Sequence, residues 1–90
     1  MNLLCRNRVQ DISRWKQIID SHSEAHRKAG LRLQRMWRSM EDANNIFFLF
    51  EMESVEKARA FISDPKAAEA AKDSGVLDGE YHFLNDVEIR

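Results

Sequence analysis

The chain has 90 residues, enough for one domain over residues 1–90 with a modest core. Its 14 basic and 15 acidic side chains nearly cancel, which argues against nucleic acid and against an anionic membrane as partners. The single cysteine, Cys5, excludes an internal disulfide, and no apolar run is long enough to cross a bilayer, so we expect a cytoplasmic protein.

The first third of the chain predicts a strand followed by one long helix. Residues 2–9 alternate, with Asn7 on the face that carries Cys5. Asp11 stands at the position of a helix N-cap, and Gly30 can end the helix in the left-handed conformation. Between them, a stripe at spacings of three and four predicts an amphipathic helix: Ile12, Trp15, Ile19, His22 and His26.

Two further strands follow, joined by a turn at residues 41–45. Residues 31–40 predict an edge strand, with Leu31, Leu33, Arg35 and Trp37 on one face. Residues 46–52 begin with an apolar run that does not alternate, and such a strand has to be covered on both faces. We therefore expect it to be an inner strand.

The last third of the chain predicts two helices and a final strand. Ser54 is the N-cap of a helix, and Asp64-Pro65 begins a further short helix that runs to about residue 72. Gly75 and Gly79 are expected to bracket a loop, and residues 81–89 alternate as a last strand.

This order predicts an α+β protein with the ferredoxin-like βαββαβ plan. The first and third strands should be the inner pair of a four-stranded antiparallel sheet that carries all helices on one face. The opposite face would then expose phenylalanine and leucine side chains, more apolar surface than a monomer usually shows. We expect a homodimer through this sheet face.

Several motifs resemble the dimeric α+β barrel superfamily, which includes the antibiotic biosynthesis monooxygenases and small polyketide cyclases. The motifs are Trp-Lys-Gln-Ile-Ile-Asp-Ser-His at 15–22, Gly30, the 41–45 turn before an aromatic strand, Phe-Ile-Ser-Asp-Pro at 61–65, and Gly75-Val76. The resemblance implies a dimer paired through its sheets, with a small-molecule pocket between sheet and helices. It also implies cofactor-free chemistry, in which tryptophan and asparagine lie near a polyphenolic substrate that supplies its own electrons to oxygen. Asn7 and Asn85 lie on predicted strands, but neither matches a family motif.

The histidine pair is the main candidate for chemistry. His22 and His26 are four residues apart, the spacing that a metal can bridge, but no third ligand accompanies them, so we predict no metal site. Imidazole ordinarily titrates near neutral pH, which makes His22 the candidate acid or base. In the other interpretation, His22 packs as a partly buried histidine and His26 interacts with the helix dipole.

Aromatic and histidine side chains provide candidate walls for a substrate pocket. The predicted substrate-binding residues are Trp15, Ile19, His26, Trp37, Phe48, Phe50 and His82. The function predicted from them is small-molecule binding, with monooxygenase-like or cyclase-like catalysis. The alternative is a non-catalytic dimeric module that binds a ligand or a partner. No phosphate-binding loop, nucleophile elbow or Cys-x-x-Cys motif is present, so no cofactor is predicted.

Arginines make the predicted strand surfaces basic. Two interpretations are open, an anion held in the dimer lumen or salt bridges with acidic residues, such as Glu51 and Asp86, across strands or across the interface.

Overall fold

The computed structural model describes residues 1–89. The order of its strands and helices is the one that the sequence predicts, except that the first helix is split into two. The elements are β1 (Asn2–Val9), α1 (Ile12–Ser21), α2 (Ser23–Lys28), β2 (Leu31–Arg38), β3 (Asn45–Met52), α3 (Val55–Ser63), α4 (Pro65–Asp73) and β4 (Val76–Leu84).

The four strands form one antiparallel sheet in the order β2-β3-β1-β4. The predicted inner pair, β1 and β3, is confirmed, and β2 is an edge strand as expected. The helices lie on one side of the sheet, which gives the predicted ferredoxin-like α+β fold. None of the helices among residues 1–89 is long and apolar enough to span a membrane.

The core lies between the sheet and the helices. Alternate residues of β1 and β3 face the helices, and the register pairs Leu3 with Phe50 and Cys5 with Phe48. Paired residues of an antiparallel sheet project to the same face, so the two strands build one continuous apolar floor. The buried apolar residues are Leu3, Cys5, Val9, Trp15, Leu31, Ile46, Phe48, Phe50, Met52 and Ala58.

The predicted helix caps are confirmed. The Asp11 carboxylate accepts from two backbone N–H groups of the first turn of α1, at 2.9 and 3.2 Å. The Ser54 hydroxyl and the Asp64 carboxylate cap α3 and α4, and each accepts from one backbone N–H group. Gly30 has φ of 73°, the left-handed conformation expected after a helix end.

The helix predicted between Asp11 and Gly30 is interrupted at His22, where the backbone leaves helical geometry (φ −98°, ψ 11°). The Ser21 hydroxyl donates to the Ile18 carbonyl at 2.7 Å, so it competes with backbone N–H groups for that acceptor. The apolar stripe continues across the break, which is why periodicity alone does not reveal it.

The last strand was predicted at 81–89, and this prediction is wrong by about five residues. β4 starts at Val76, and its last pair joins Leu84 to Asn2, the first residue of β1. Residues 85–89, including Asn85, extend beyond the start of β1 and have no partner strand within residues 1–89. Gly79, predicted in a loop, is paired with Asn7 inside the strand.

A β-bulge in β2 corrects the predicted face of two residues. Leu33 pairs with Phe50, but Arg35 pairs with Leu49, which leaves Gln34 as an extra residue. Leu33 therefore faces the helices, whereas Arg35 and Trp37 project to the opposite face. Strict alternation had placed all of them together.

That opposite face, which we call the open face, carries no helix. Its centre consists of Leu4, Phe47 and Leu49, which are partly exposed. Trp37 lies beside them, 39% exposed, with the Arg35 guanidinium 5.3 Å from its ring centroid.

Three arginines of the open face form cross-strand ion pairs, as one of the two interpretations of the basic strands predicts: Arg6, Arg8 and Arg32. Arg6 bonds Asp78 at 3.0 Å and Glu80 at 3.1 Å, and Arg8 also bonds Asp78. The partner expected in β3 is also found, because Arg32 pairs with Glu51 at 2.6 Å.

Candidate functional site

A cavity of about 610 Å³ lies between the helices and the helix-facing side of the sheet. Leu3, Cys5 and Phe48 of the sheet are buried and form its floor, and Trp15 of α1 packs on this floor. Its walls come from α1 and α2 on one side and from α3 and α4 on the other. The wall of α4 is made of small side chains, which leaves the space open: Ala67, Ala70 and Ala71.

The deepest polar group of the cavity is a paired indole and amide. Trp15 is fully buried, and in the amide orientation that satisfies both ends of Asn7, Trp15 Nε1 donates to the Asn7 oxygen at 3.2 Å. The Asn7 nitrogen then donates to the Arg6 carbonyl at 2.9 Å. The Asn7 amide needs the space beside Gly79, where a Cβ would lie 2.6 Å from it. Glycine at position 79 thus makes room for the pair.

His26 lies against two aromatic rings, with its centroid 5.1 Å from Phe50 and 5.4 Å from Phe61. Burial, and secondarily the nearby His22, lower the pKa of His26 from 6.5 to about 4. The imidazole is therefore neutral at pH 7, and it can donate one hydrogen bond and accept another.

His22 also lines the cavity and is half-buried. It occupies the break between α1 and α2, so it belongs to neither helix. The predicted walls Trp15, Ile19, Phe48 and Phe50 line the same cavity, with the Trp15 and Phe48 ring centroids 5.4 Å apart. The structure thus brings together most of the residues predicted for the site.

Two other side chains bring polar atoms to the cavity. Burial raises the pKa of the Cys5 thiol to about 12, so this group stays protonated and behaves as a small apolar side chain. Partial burial raises the pKa of Tyr81 above its usual value, so its hydroxyl remains a hydrogen-bond donor at neutral pH.

No family model matches this sequence, and no curated protein matches it. Solved structures do resemble the fold. A protein from Bordetella bronchiseptica assigned as an antibiotic biosynthesis monooxygenase superimposes with a TM-score of 0.78 at 15% identity, covering 97% of this chain and 96% of its own. A mutant of SnoaB, a cofactor-independent oxygenase from Streptomyces nogalater, superimposes with a TM-score of 0.73 at 10% identity, covering 98% of this chain and 93% of its own. A NIPSNAP domain protein from Burkholderia xenovorans gives 0.66 at 15% identity, covering 97% and 94%.

This chain has the fold of the antibiotic biosynthesis monooxygenase-like proteins. The resemblance that the sequence motifs suggested is confirmed at the level of the fold.

Two predicted substrate-binding residues lie outside the cavity of this monooxygenase-like fold. His82 pairs with Leu4 on the open face and contacts the Glu80 carboxylate at 3.0 Å. Trp37, displaced by the bulge, pairs with Phe47 and lies on the open face as well. The sequence could not predict the positions of these two residues, because the register of each strand with its neighbour decides to which face of the sheet they project.

The cavity also contains residues that were not predicted as part of a site. Asn7 was noticed only as a strand residue on the face of Cys5, and alternation along β1 was the signal that placed it there. Three lysines reach the cavity from three different helices, so no local spacing could reveal them: Lys28, Lys57 and Lys66. Within residues 1–89, no three histidine, cysteine, aspartate or glutamate side chains are grouped as a metal site would require.

Proposed function

We propose that this protein binds a small, largely apolar molecule in the cavity between helices and sheet, and that it acts on it as a cofactor-free monooxygenase-like enzyme. The observation that carries the proposal is the Trp15–Asn7 pair inside an aromatic-lined cavity of about 610 Å³. Cavities of this size and character are typical ligand sites. The fold shared with a cofactor-independent oxygenase adds support at the level of architecture only.

The proposed chemistry needs no external reductant. An activated CH₂ group of a phenolic ligand and O₂ can give a carbonyl group and water, with one oxygen atom in each product and all electrons drawn from the ligand. The step begins with removal of a proton, for which His22 is our candidate base. The remaining cavity residues bind the ring and exclude water, and the polar edge of Asn7 and Trp15 orients it.

Binding in the cavity can be tested by filling it. The uncharged fluorescent probe phenylnaphthylamine should bind the native protein with one site per chain. Ala70→Trp places an indole in the cavity and should abolish this binding. Ala68→Trp is the matched control, because Ala68 lies on the same helix but is exposed and outside the cavity lining. Equal binding by both variants would refute the cavity as the binding site.

Turnover is tested separately, by oxygen uptake with polyphenolic compounds. We expect His22→Ala to lose turnover while its circular dichroism and unfolding midpoint stay near the native values. If His22→Ala lowers stability and leaves turnover unchanged, His22 is not the base. If no polyphenol is oxidised while probes bind, the non-catalytic binding module is the better description. His26 favours that alternative, since its ring packs between Phe50 and Phe61.

We also propose a homodimer through the open face. Leu4, Phe47 and Leu49 form an apolar centre there that no helix covers, and a second copy would cover it. Sedimentation should show a dimer at micromolar concentration and a monomer for Leu49→Asp. Met40→Asp, at a fully exposed position near the 41–45 turn, should leave the dimer intact. A native monomer would overturn this part of the proposal.

We also propose a cytoplasmic location, because a chain with one cysteine has no internal disulfide that an oxidising compartment would maintain.

A further inference from the structure

The charge of the cavity lining differs from that of the whole chain. The chain carries a formal net charge of −1, but the charged residues among the cavity lining are three lysines and one aspartate. Lys28 comes from the end of α2, Lys57 from the start of α3 and Lys66 from the start of α4. All three lysines are exposed, whereas the apolar floor is buried, so the positive charge lies at the rim of the cavity.

The protein neutralises only part of this rim. Lys57 Nζ pairs with Glu53 at 2.9 Å. The Asp64 carboxylate caps α4 by accepting from the backbone nitrogen of Lys66 at 2.9 Å. The ammonium groups of Lys28 and Lys66 make no ion pair or hydrogen bond with any residue from 1 to 89 that the structure describes. Two cations therefore border an apolar cavity without an acidic side-chain partner.

We propose that the ligand of this cavity is an amphipathic anion, with an apolar ring or chain in the cavity and one anionic group at the rim that carries Lys28 and Lys66. An anionic group placed on the buried floor would lose its hydration without a compensating charge, so the rim is where such a group is favoured. This inference rests on the proposed function, since it concerns the molecule that the same cavity holds.

The choice of lysine rather than arginine bears on which anionic groups the rim can bind. Lysine presents a compact, hydrated point charge on a flexible stem, whereas arginine presents a planar fork that matches carboxylates and phosphates in two-point geometry. A rim made of lysines selects for negative charge near the cavity mouth, and it accepts carboxylate, sulfonate or phosphate groups alike.

A pair of probes that differ by one anionic group tests the assignment. Anilinonaphthalene sulfonate and its uncharged parent, phenylnaphthylamine, share the same ring system. The Lys28→Gln/Lys66→Gln double variant removes both charges and keeps side-chain length. Lys72→Gln is the matched control, because Lys72 lies on the same helix as Lys66, also has no ion pair among residues 1–89 and lies outside the cavity lining.

In the double variant, we expect the dissociation constant of the sulfonate to rise about 3- to 10-fold, as two exposed ion pairs allow. The constant of the uncharged probe should change less than about 2-fold, and Lys72→Gln should leave both probes unaffected. Raising the salt concentration should weaken sulfonate binding to the native protein toward the value in the double variant, since exposed charges are screened.

Three results would overturn the inference: equal weakening of both probes, an unchanged sulfonate affinity, or the same loss in Lys72→Gln. These failures differ from failure of the cavity itself. If Ala70→Trp still binds the uncharged probe, the proposed binding site is wrong. If Ala70→Trp loses that probe but the lysine double variant binds the sulfonate as the native protein does, only the charge assignment is refuted.

Discussion

His26 should make the stability of this protein depend on pH in a way that one substitution removes. Its ring packs against Phe50 and Phe61, and the folded state holds its pKa at about 4, below the ordinary 6.5. Between these two values the unfolded chain binds a proton on this imidazole and the folded protein does not. Stability is therefore fully present above pH 6.5 and is lost as the pH falls toward 4.

The magnitude follows from the pKa difference. A shift from 6.5 to about 4 corresponds at most to about 3.5 kcal/mol of unfolding free energy, at about 1.4 kcal/mol per pKa unit. The ring is only half-buried, so solvent screening reduces the expected effect to about 1–2 kcal/mol. Replacement by leucine, which cannot take up a proton, should remove this loss and leave the contribution of other titrating groups.

Urea unfolding at fixed protein concentration, followed by circular dichroism from pH 4 to pH 8, measures the effect. The free energy of unfolding of the native protein, minus that of His26→Leu, should fall by about 1–2 kcal/mol between pH 6.5 and pH 4. The difference cancels the exposed carboxylates with lowered pKa values, such as Asp78 and Glu80, because both proteins contain them. Parallel profiles for the two proteins would refute the argument.

Three further substitutions test the packing around the cavity by their urea unfolding midpoints. Gly79→Ala places a Cβ 2.6 Å from the Asn7 amide and 2.8 Å from the Arg6 carbonyl, so we expect a loss of about 1–3 kcal/mol; an unchanged midpoint would contradict this register. Asp11→Ala removes the cap of α1 and should lower the free energy of unfolding by about 1 kcal/mol, whereas Asp11→Asn should keep most of the stability that the cap provides. Trp15→Phe leaves the Asn7 amide without its indole donor and should cost about 1–3 kcal/mol; a neutral result would argue against that hydrogen bond.

The sequence predicts the fold well because local signals agree with one another. The helix caps at Asp11, Ser54 and Asp64 mark helix starts, and the apolar run in β3 identifies an inner strand. The boundaries of β4 could not be predicted in the same way. Gly79 reads as a loop residue, and only its pairing with Asn7 shows why a strand contains it.

The candidate site was predictable where its residues are close in sequence. Trp15, Ile19, His22 and His26 follow helical spacing, and this stripe continues across the break at His22, so all four residues line the cavity. The lysines of the rim come from separate helices, so only the packing of those helices brings them together. His82 was misplaced for a related reason, because its face depends on the register of β4 with β1.

Because Gln34 is an extra residue in β2, the number of residues in this strand decides to which face of the sheet the side chains after Gln34 project. Deletion of one residue there would restore alternation and turn Arg35 and Trp37 toward the helices, with no change in either side chain. The same deletion would bring Met36, which now packs against the core, to the open face. A single codon gained or lost in this edge strand can therefore exchange the side chains of the helix-facing side with those of the open face, a route to divergence that comparisons of residue identity alone would miss.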